Sequence, residues 1–147
     1  MKKKTISKVV EDCAVVLQKV VRMKAAIAED IDGYVTCVSC GVKKHWKELD
    51  AGHYFSRGDK SVKLMEENIH PQCKGCNIRM SHGDTKVVSA YRRYMVEMYG
   101  EDFLDYLEKL ARTPAKFDRE EIEALTKTLK AQIKEYEQHL WGRHDCH

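Results

Sequence analysis

Two pairs of cysteines, Cys37-Val-Ser-Cys40 and Cys73-Lys-Gly-Cys76, carry the plainest chemistry in this sequence. A two-residue turn lets both thiolates of a pair point at one ion, so two such pairs can make a tetrahedral Zn²⁺ site. Gly41, directly after the first pair, eases the turn that a zinc knuckle makes. A redox reading of Cys-x-x-Cys needs a strand–helix setting in a parallel sheet, and no βαβ pattern occurs here. Four thiolates leave zinc no open position, so Cys37, Cys40, Cys73 and Cys76 are expected to build and not to react. The 32 residues between Cys40 and Cys73 exceed the roughly 15–20 of a simple zinc module, so something is built into the gap.

The gap contains "LDAGHYFSRGD", with Asp50 three residues before His53, and later Asn68; Asn77 follows directly on Cys76. Singly, each has a plain reading: Asp50 capping a turn, His53 on the surface, Asn68 in a turn, Asn77 at a helix N-terminus. Together they offer more. Asp50 and Asn77 supply hard oxygens, which with water and phosphate suit Mg²⁺ or Mn²⁺ better than zinc. His53 titrates near neutrality and can accept a proton from water. A base and a hard cation are the parts that phosphodiester hydrolysis needs.

These residues, at spacings of 3, 15 and 9, resemble an HNH (ββα-metal) endonuclease on a treble-clef zinc scaffold. Asparagine directly after Cys-x-x-Cys, with an aspartate three before the histidine, is similar to the phage endonuclease VII type. The fuller string "LDAGHYFSRGD…ENIHPQCKGCN…YRRYMVEMYG" resembles the phage NinG/Rap recombination endonucleases, over roughly residues 34–112. The resemblance implies that His53 is the general base and Asn68 a structural asparagine of the catalytic loop. It implies that Asp50 and Asn77 hold the catalytic Mg²⁺ or Mn²⁺, with His82 as a further ligand if the helix allows, and that the four cysteines hold zinc. It also implies a DNA substrate, such as a D-loop or Holliday junction, and products with 5′-phosphates. Many HNH proteins carry a metal-binding His or Asp just before the base; here that position is Gly52. Two other functions stay open: another phage HNH nicking or packaging-associated endonuclease, and a non-catalytic zinc module that binds DNA. Arg57, Lys60, Arg92 and Arg93 are the candidate phosphate contacts. His70 faces the site or bonds within the hairpin.

Helices are expected to hold this core. Residues 7–29 repeat apolar side chains near a 3.6-residue period, with Ser7 as N-cap. Residues 34–72 lack that period and read as knuckle, hairpin and loop. A helix should begin near Cys76, break at residues 81–84 and resume over Val87–Tyr99, stopped by Gly100. A short helix covers 101–112. Asp118-Arg-Glu-Glu121 is an aspartate version of the capping box. After it Ile122, Leu125, Leu129, Ile133, Tyr136 and Leu140 form a heptad-like stripe. That stripe either packs on its own domain or is the seam of a homodimer. The expected fold is therefore α+β, a single domain over 1–147: an N-terminal helix (1–33), a zinc-bound treble-clef/ββα-metal core (34–100) and C-terminal helices (101–147).

The bulk composition fits. The chain has 147 residues, 43% hydrophobic and 33% charged, which is the balance of a folded soluble domain. No apolar run is long enough to span a membrane, and no secretory signal follows the basic start, so a cytoplasmic location is expected, in the bacterial host cell if the chain is phage-encoded. Net charge is uneven: residues 41–95 carry 11 basic and 6 acidic side chains, while 96–147 carry 8 and 12. The excess of positive charge surrounds the histidine motif and suits a polyanion such as DNA. Cys13 reads as a core residue, and Cys146, His144 and His147 as tail residues.

Overall fold

The computed structural model describes residues 3–56 and 60–141, with only the backbone of Lys60. Arg57, Cys146, His144, His147 and the Lys60 side chain lie outside the described residues.

Helix α1 runs Ile6–Glu29, and its start differs from the expected one. The hydroxyl of Thr5, not Ser7, accepts the orphan Lys8 N–H at 3.2 Å. At the other end Asp30 takes a left-handed conformation (φ 56°) and donates its N–H to Ala26 O. Gly33 (φ 85°) serves the turn that follows. Val9, Val10, Cys13, Leu17, Val20 and Val21 form the buried stripe.

Two antiparallel hairpins follow. Strands β1 (Tyr34–Thr36) and β2 (Lys43–His45) pair Tyr34 with His45 and Thr36 with Lys43. Glu29 ties the hairpin to α1, its carboxylate accepting from Thr36 N–H at 2.9 Å and Thr36 Oγ1 at 2.6 Å. Strands β3 (Asp50–His53) and β4 (Ile69–Gln72) pair Asp50 with Gln72 and His53 with Ile69. Pro71 cannot donate to a ladder, and is tolerated because β4 is the edge of a two-stranded sheet. Its carbonyl accepts Val38 N–H at 3.0 Å, which docks the knuckle on β4.

Helix α2 (Lys74–Ser81) follows β4 at once, so β3, β4 and α2 form a ββα unit. The break over residues 81–84 is present, but α3 resumes at Thr85 and runs to Tyr99, because Asp84 accepts the Lys86 and Val87 N–H groups. Gly100 (φ 86°) separates α3 from α4 (Glu101–Ala111).

Asp118 accepts Glu121 N–H at 3.1 Å and starts α5 (Arg119–Trp141). The heptad-like stripe of α5 is covered within the chain. Ile122, Leu125, Leu129, Ile133 and Tyr136 pack against the Val9–Val21 face of α1. Of the two expected arrangements, the stripe takes the first and packs on its own domain. Leu129→Ala should cost about 2–5 kcal/mol, the range for truncating a buried leucine, read as a drop in the urea midpoint at constant m. A loss near zero would mean that α5 does not seal α1. The architecture is α+β, with small antiparallel hairpins and a cysteine cluster between helical flanks, as expected. Among the described residues no helix is long and apolar enough to cross a membrane.

Candidate functional site

The knuckle between β1 and β2 is wound by its own backbone. Cys37 N–H donates to Val42 O at 2.9 Å, Gly41 N–H donates to Cys37 O at 3.0 Å, and Gly41 takes φ 78°. Cys73 is the N-cap of α2, its sulfur accepting Cys76 N–H at 3.4 Å. The sulfurs of Cys37, Cys40, Cys73 and Cys76 all lie within 4.8 Å of one another, and Cys40 Sγ is 3.7 Å from Cys73 Sγ. A metal bonded to four sulfurs at roughly 2.3 Å makes a tetrahedron with edges of about 3.8 Å, so the four could hold a zinc ion. Burial pushes the Cys37 thiol up, but backbone N–H donors from Cys40, Cys73 and Ser39 outweigh it and bring it down to about 7. Burial pushes Cys76 up to about 12, against the Arg79 guanidinium at 3.4 Å. Without a cation this cluster does not ionise fully at neutral pH; with one, all four can be thiolates.

The knuckle positions a second group of side chains. Asp50 opens β3, His53 closes it, and Asn77 sits in the first turn of α2 beside Cys76. All three line one open cavity of about 680 Å³. Asn77 Nδ2 donates to Asp50 Oδ2 at 3.0 Å. Turning that amide over would place Asn77 Oδ1 beside the carboxylate, giving two hard oxygens on adjacent elements, a donor set that fits Mg²⁺ or Mn²⁺. His53 is buried, and its Nε2 lies 3.1 Å from Lys63 O. A carbonyl only accepts, so Nε2 carries the proton in the neutral ring and the basic lone pair is on Nδ1.

Asn68 is fully buried and pins the loop that follows His53. Its Oδ1 accepts Phe55 N–H at 2.9 Å, while Nδ2 donates to Phe55 O at 3.1 Å and Val62 O at 3.3 Å. It touches the chain and not the cavity, which is a positioning role. His82 is the exposed C-cap of α2 and does not line the cavity. Arg92 and Arg93 diverge. Arg92 is near enough to Tyr54 for its charge to act on that phenol, and lies 3.9 Å from Glu101. Arg93 lines a separate groove beside the knuckle.

Gly52 also has a reason to be glycine. A Cβ there would lie 2.0 Å from Oε1 of Gln72, the buried cross-strand neighbour of Asp50. The space that a ligand side chain would occupy before the base is filled by glutamine.

A family model for the bacteriophage lambda NinG protein matches residues 1–139. The chain belongs to the NinG family. Searches of the curated proteins and of the solved structures found no match. The NinG match takes in α1 and most of α5, elements outside the segment whose motifs resemble HNH enzymes. Within this NinG-family chain α1 contributes directly: Gln18 and Arg22 line the same cavity as Asp50, His53 and Asn77. No motif marked them; the only local signal is an arginine set between the buried Val21 and Met23.

A buried network backs the hairpin from the other side. Tyr91 donates its hydroxyl to Gly52 O at 2.7 Å, so it must accept from His70 Nδ1–H at 3.1 Å. His70 Nε2 then accepts from the Tyr99 hydroxyl at 2.8 Å. His70 thus faces α3, away from the expected alternatives. Burial pushes it down to about 4. The unfolded chain binds a proton here below about pH 6.5 and the folded protein does not until about 4, so stability is complete above that window and falls as pH drops through it. Lowering the pH from 7 to 5 should cost about 1–2 kcal/mol through this group. Urea unfolding should show that slope in the wild type and a flatter one in His70→Gln; equal slopes would remove His70 from the account.

Proposed function

We propose that this protein is a metal-dependent DNA endonuclease of the HNH type, acting on branched recombination intermediates such as D-loops or Holliday junctions. The observation that carries the reading is the convergence of Asp50, His53 and Asn77 in one open cavity, on elements tied together by the cysteine cluster. Membership of a phage family supports a phage recombination role, and the positive charge of residues 41–95 supports a polyanionic substrate.

The residues divide the work. His53 Nδ1 takes a proton from water, and the resulting hydroxide attacks phosphorus. Lys63 O fixes the ring and stabilises the imidazolium through Nε2–H. Asn68 holds the loop from which Lys63 and Phe55 are addressed. Asp50 and Asn77 would hold Mg²⁺ or Mn²⁺, which supplies positive charge for the leaving 3′-oxygen. The P–O3′ bond breaks, the leaving 3′-oxygen takes a proton from solvent to become a hydroxyl, and the water oxygen stays on phosphorus as part of a 5′-phosphate.

The test compares a four-way junction, a D-loop and linear duplex, each with and without Mg²⁺. Cleavage of the branched substrates that depends on Mg²⁺ is expected. Equal cutting of linear duplex would point to a general nicking enzyme. Binding with no cutting of any substrate would leave a zinc module that only docks on DNA.

A further inference from the structure

Among the described residues, Arg22 is the one lysine or arginine that lines the candidate cleft. It comes from α1, 28 residues before Asp50 in the chain. Its Nε donates to Gln18 O at 3.3 Å and its Nη1 to Leu49 O at 3.2 Å, while its Cζ lies 5.9 Å from the centre of the Trp46 ring. Two carbonyls and an indole therefore lock the side chain, yet none neutralises it. Asp50 attracts it across the cleft without forming an ion pair among the described residues. Half-buried, the guanidinium pays for lost hydration, but it stays charged because its acidity is so weak. A charge held rigid, partly desolvated and outside any direct ion pair among the described residues is a poor stabiliser of the fold. It is suited to an anion that enters the cleft.

We propose that Arg22 is the phosphate-binding residue of the cleft, its guanidinium taking a non-bridging oxygen of the DNA phosphodiester that lies against Asp50, His53 and Asn77. Gln18, one helical turn earlier, is a neutral lining residue beside it. This rests on the nuclease reading only for what happens to the phosphodiester; the binding role stands without hydrolysis. The preset fork loses little side-chain freedom on binding, and a charge-assisted contact in a recessed cleft outweighs one made by an exposed lysine.

The test measures binding of a fluorescent four-way junction to the full chain, without added divalent cation, between about 50 and 200 mM salt. Wild type, Arg22→Gln, Arg22→Lys and Lys19→Gln are compared, and thermal melting confirms that each is folded. Lys19 is on the same helix but pairs loosely with Glu137 at 3.7 Å, outside the cleft. Arg22→Gln should bind roughly tenfold more weakly, the size of one charge-assisted contact. Its plot of log affinity against log salt should lose about 0.9 of slope, the mark of one lost phosphate contact. Arg22→Lys should keep the slope, and Lys19→Gln should match wild type. If Arg22→Gln does not fold, Arg22→Lys decides on cleavage kinetics: keeping the charge but losing the fork should raise KM severalfold with kcat less affected. A wild-type slope in folded Arg22→Gln, an unaltered KM in Arg22→Lys, or no binding of DNA by the wild type would each overturn the proposal. If the wild type binds with the expected slope and never cuts, Arg22 keeps its role and the nuclease reading falls.

Discussion

His53→Ala should bind branched DNA as the wild type does and cut it about 10²- to 10⁴-fold more slowly, the usual contribution of a positioned general base. The separation of the two effects follows from the geometry. His53 is at the end of β3, with one ring nitrogen committed to Lys63 O. Its removal deletes the proton acceptor but leaves Asp50, Asn77 and Arg22 around the cavity. The loop beyond it is held by three hydrogen bonds of Asn68, none of which involves His53. The variant should therefore melt within a few degrees of the wild type, since a hydrogen bond such as that to Lys63 O is worth about 1 kcal/mol. Cleavage rates under single-turnover conditions, with binding measured in parallel, make the check. A wild-type rate in a folded His53→Ala protein would falsify the base assignment.

Removing metal from the cysteine cluster should unfold the core. The purified protein is expected to contain one zinc per chain, and a strong chelator or Cys76→Ser to abolish cooperative melting. Structural zinc sites contribute about 10–16 kcal/mol of apparent binding energy, as much as the whole stability of an ordinary domain. Here the cluster joins elements far apart in sequence, the β1–β2 turn and the start of α2. Without the ion, burial keeps the Cys76 thiol protonated, and the knuckle is left with its hydrogen bonds, its contact with β4 and the packing of Val35, Cys37 and Trp46 beside Met23 and Ala26. Asn77 follows Cys76 directly, so the metal-free chain should also lose Mg²⁺-dependent cleavage. Unchanged circular dichroism and melting in a protein shown to be free of zinc would remove the metal from the fold.

The readable part of this site was the part set by short spacings. Two residues between paired cysteines let both sulfurs point at one ion, and Asn77 is placed simply by following Cys76. The break before α3 was legible because glycine and aspartate act within a turn, though Asp84 starts the helix two residues earlier than the apolar pattern does. Thr5 replaced Ser7 as the cap of α1 for a similar local reason: two hydroxyls were available, and only the geometry decides which meets a free N–H. The unreadable part depends on packing. Periodicity showed that α5 has an apolar face but not that α1 covers it. His70 could be placed on a strand, but its tyrosine partners come from 21 and 29 residues downstream. Arg22 carried no motif at all; its presence in the cleft depends on how α1 crosses the hairpin.

The packing of α5 on α1 also sets an order of events during synthesis. Arg119 donates to Lys4 O across 115 residues, and the apolar stripe of α1 is completed only by Ile122 and Leu129. The hairpins and cysteine cluster can assemble before α5 leaves the ribosome, since all their residues lie between 34 and 76. Helix α1 can dock on them through Ala51 and Ile69, but the part of its Val9–Val21 face that α5 covers stays open until nearly everything else has been translated. Arg22 rides on that helix. Its partners Leu49 and Trp46 belong to the hairpin region, so that wall of the cleft can form with the hairpins, and only the side of α1 that faces α5 is sealed last.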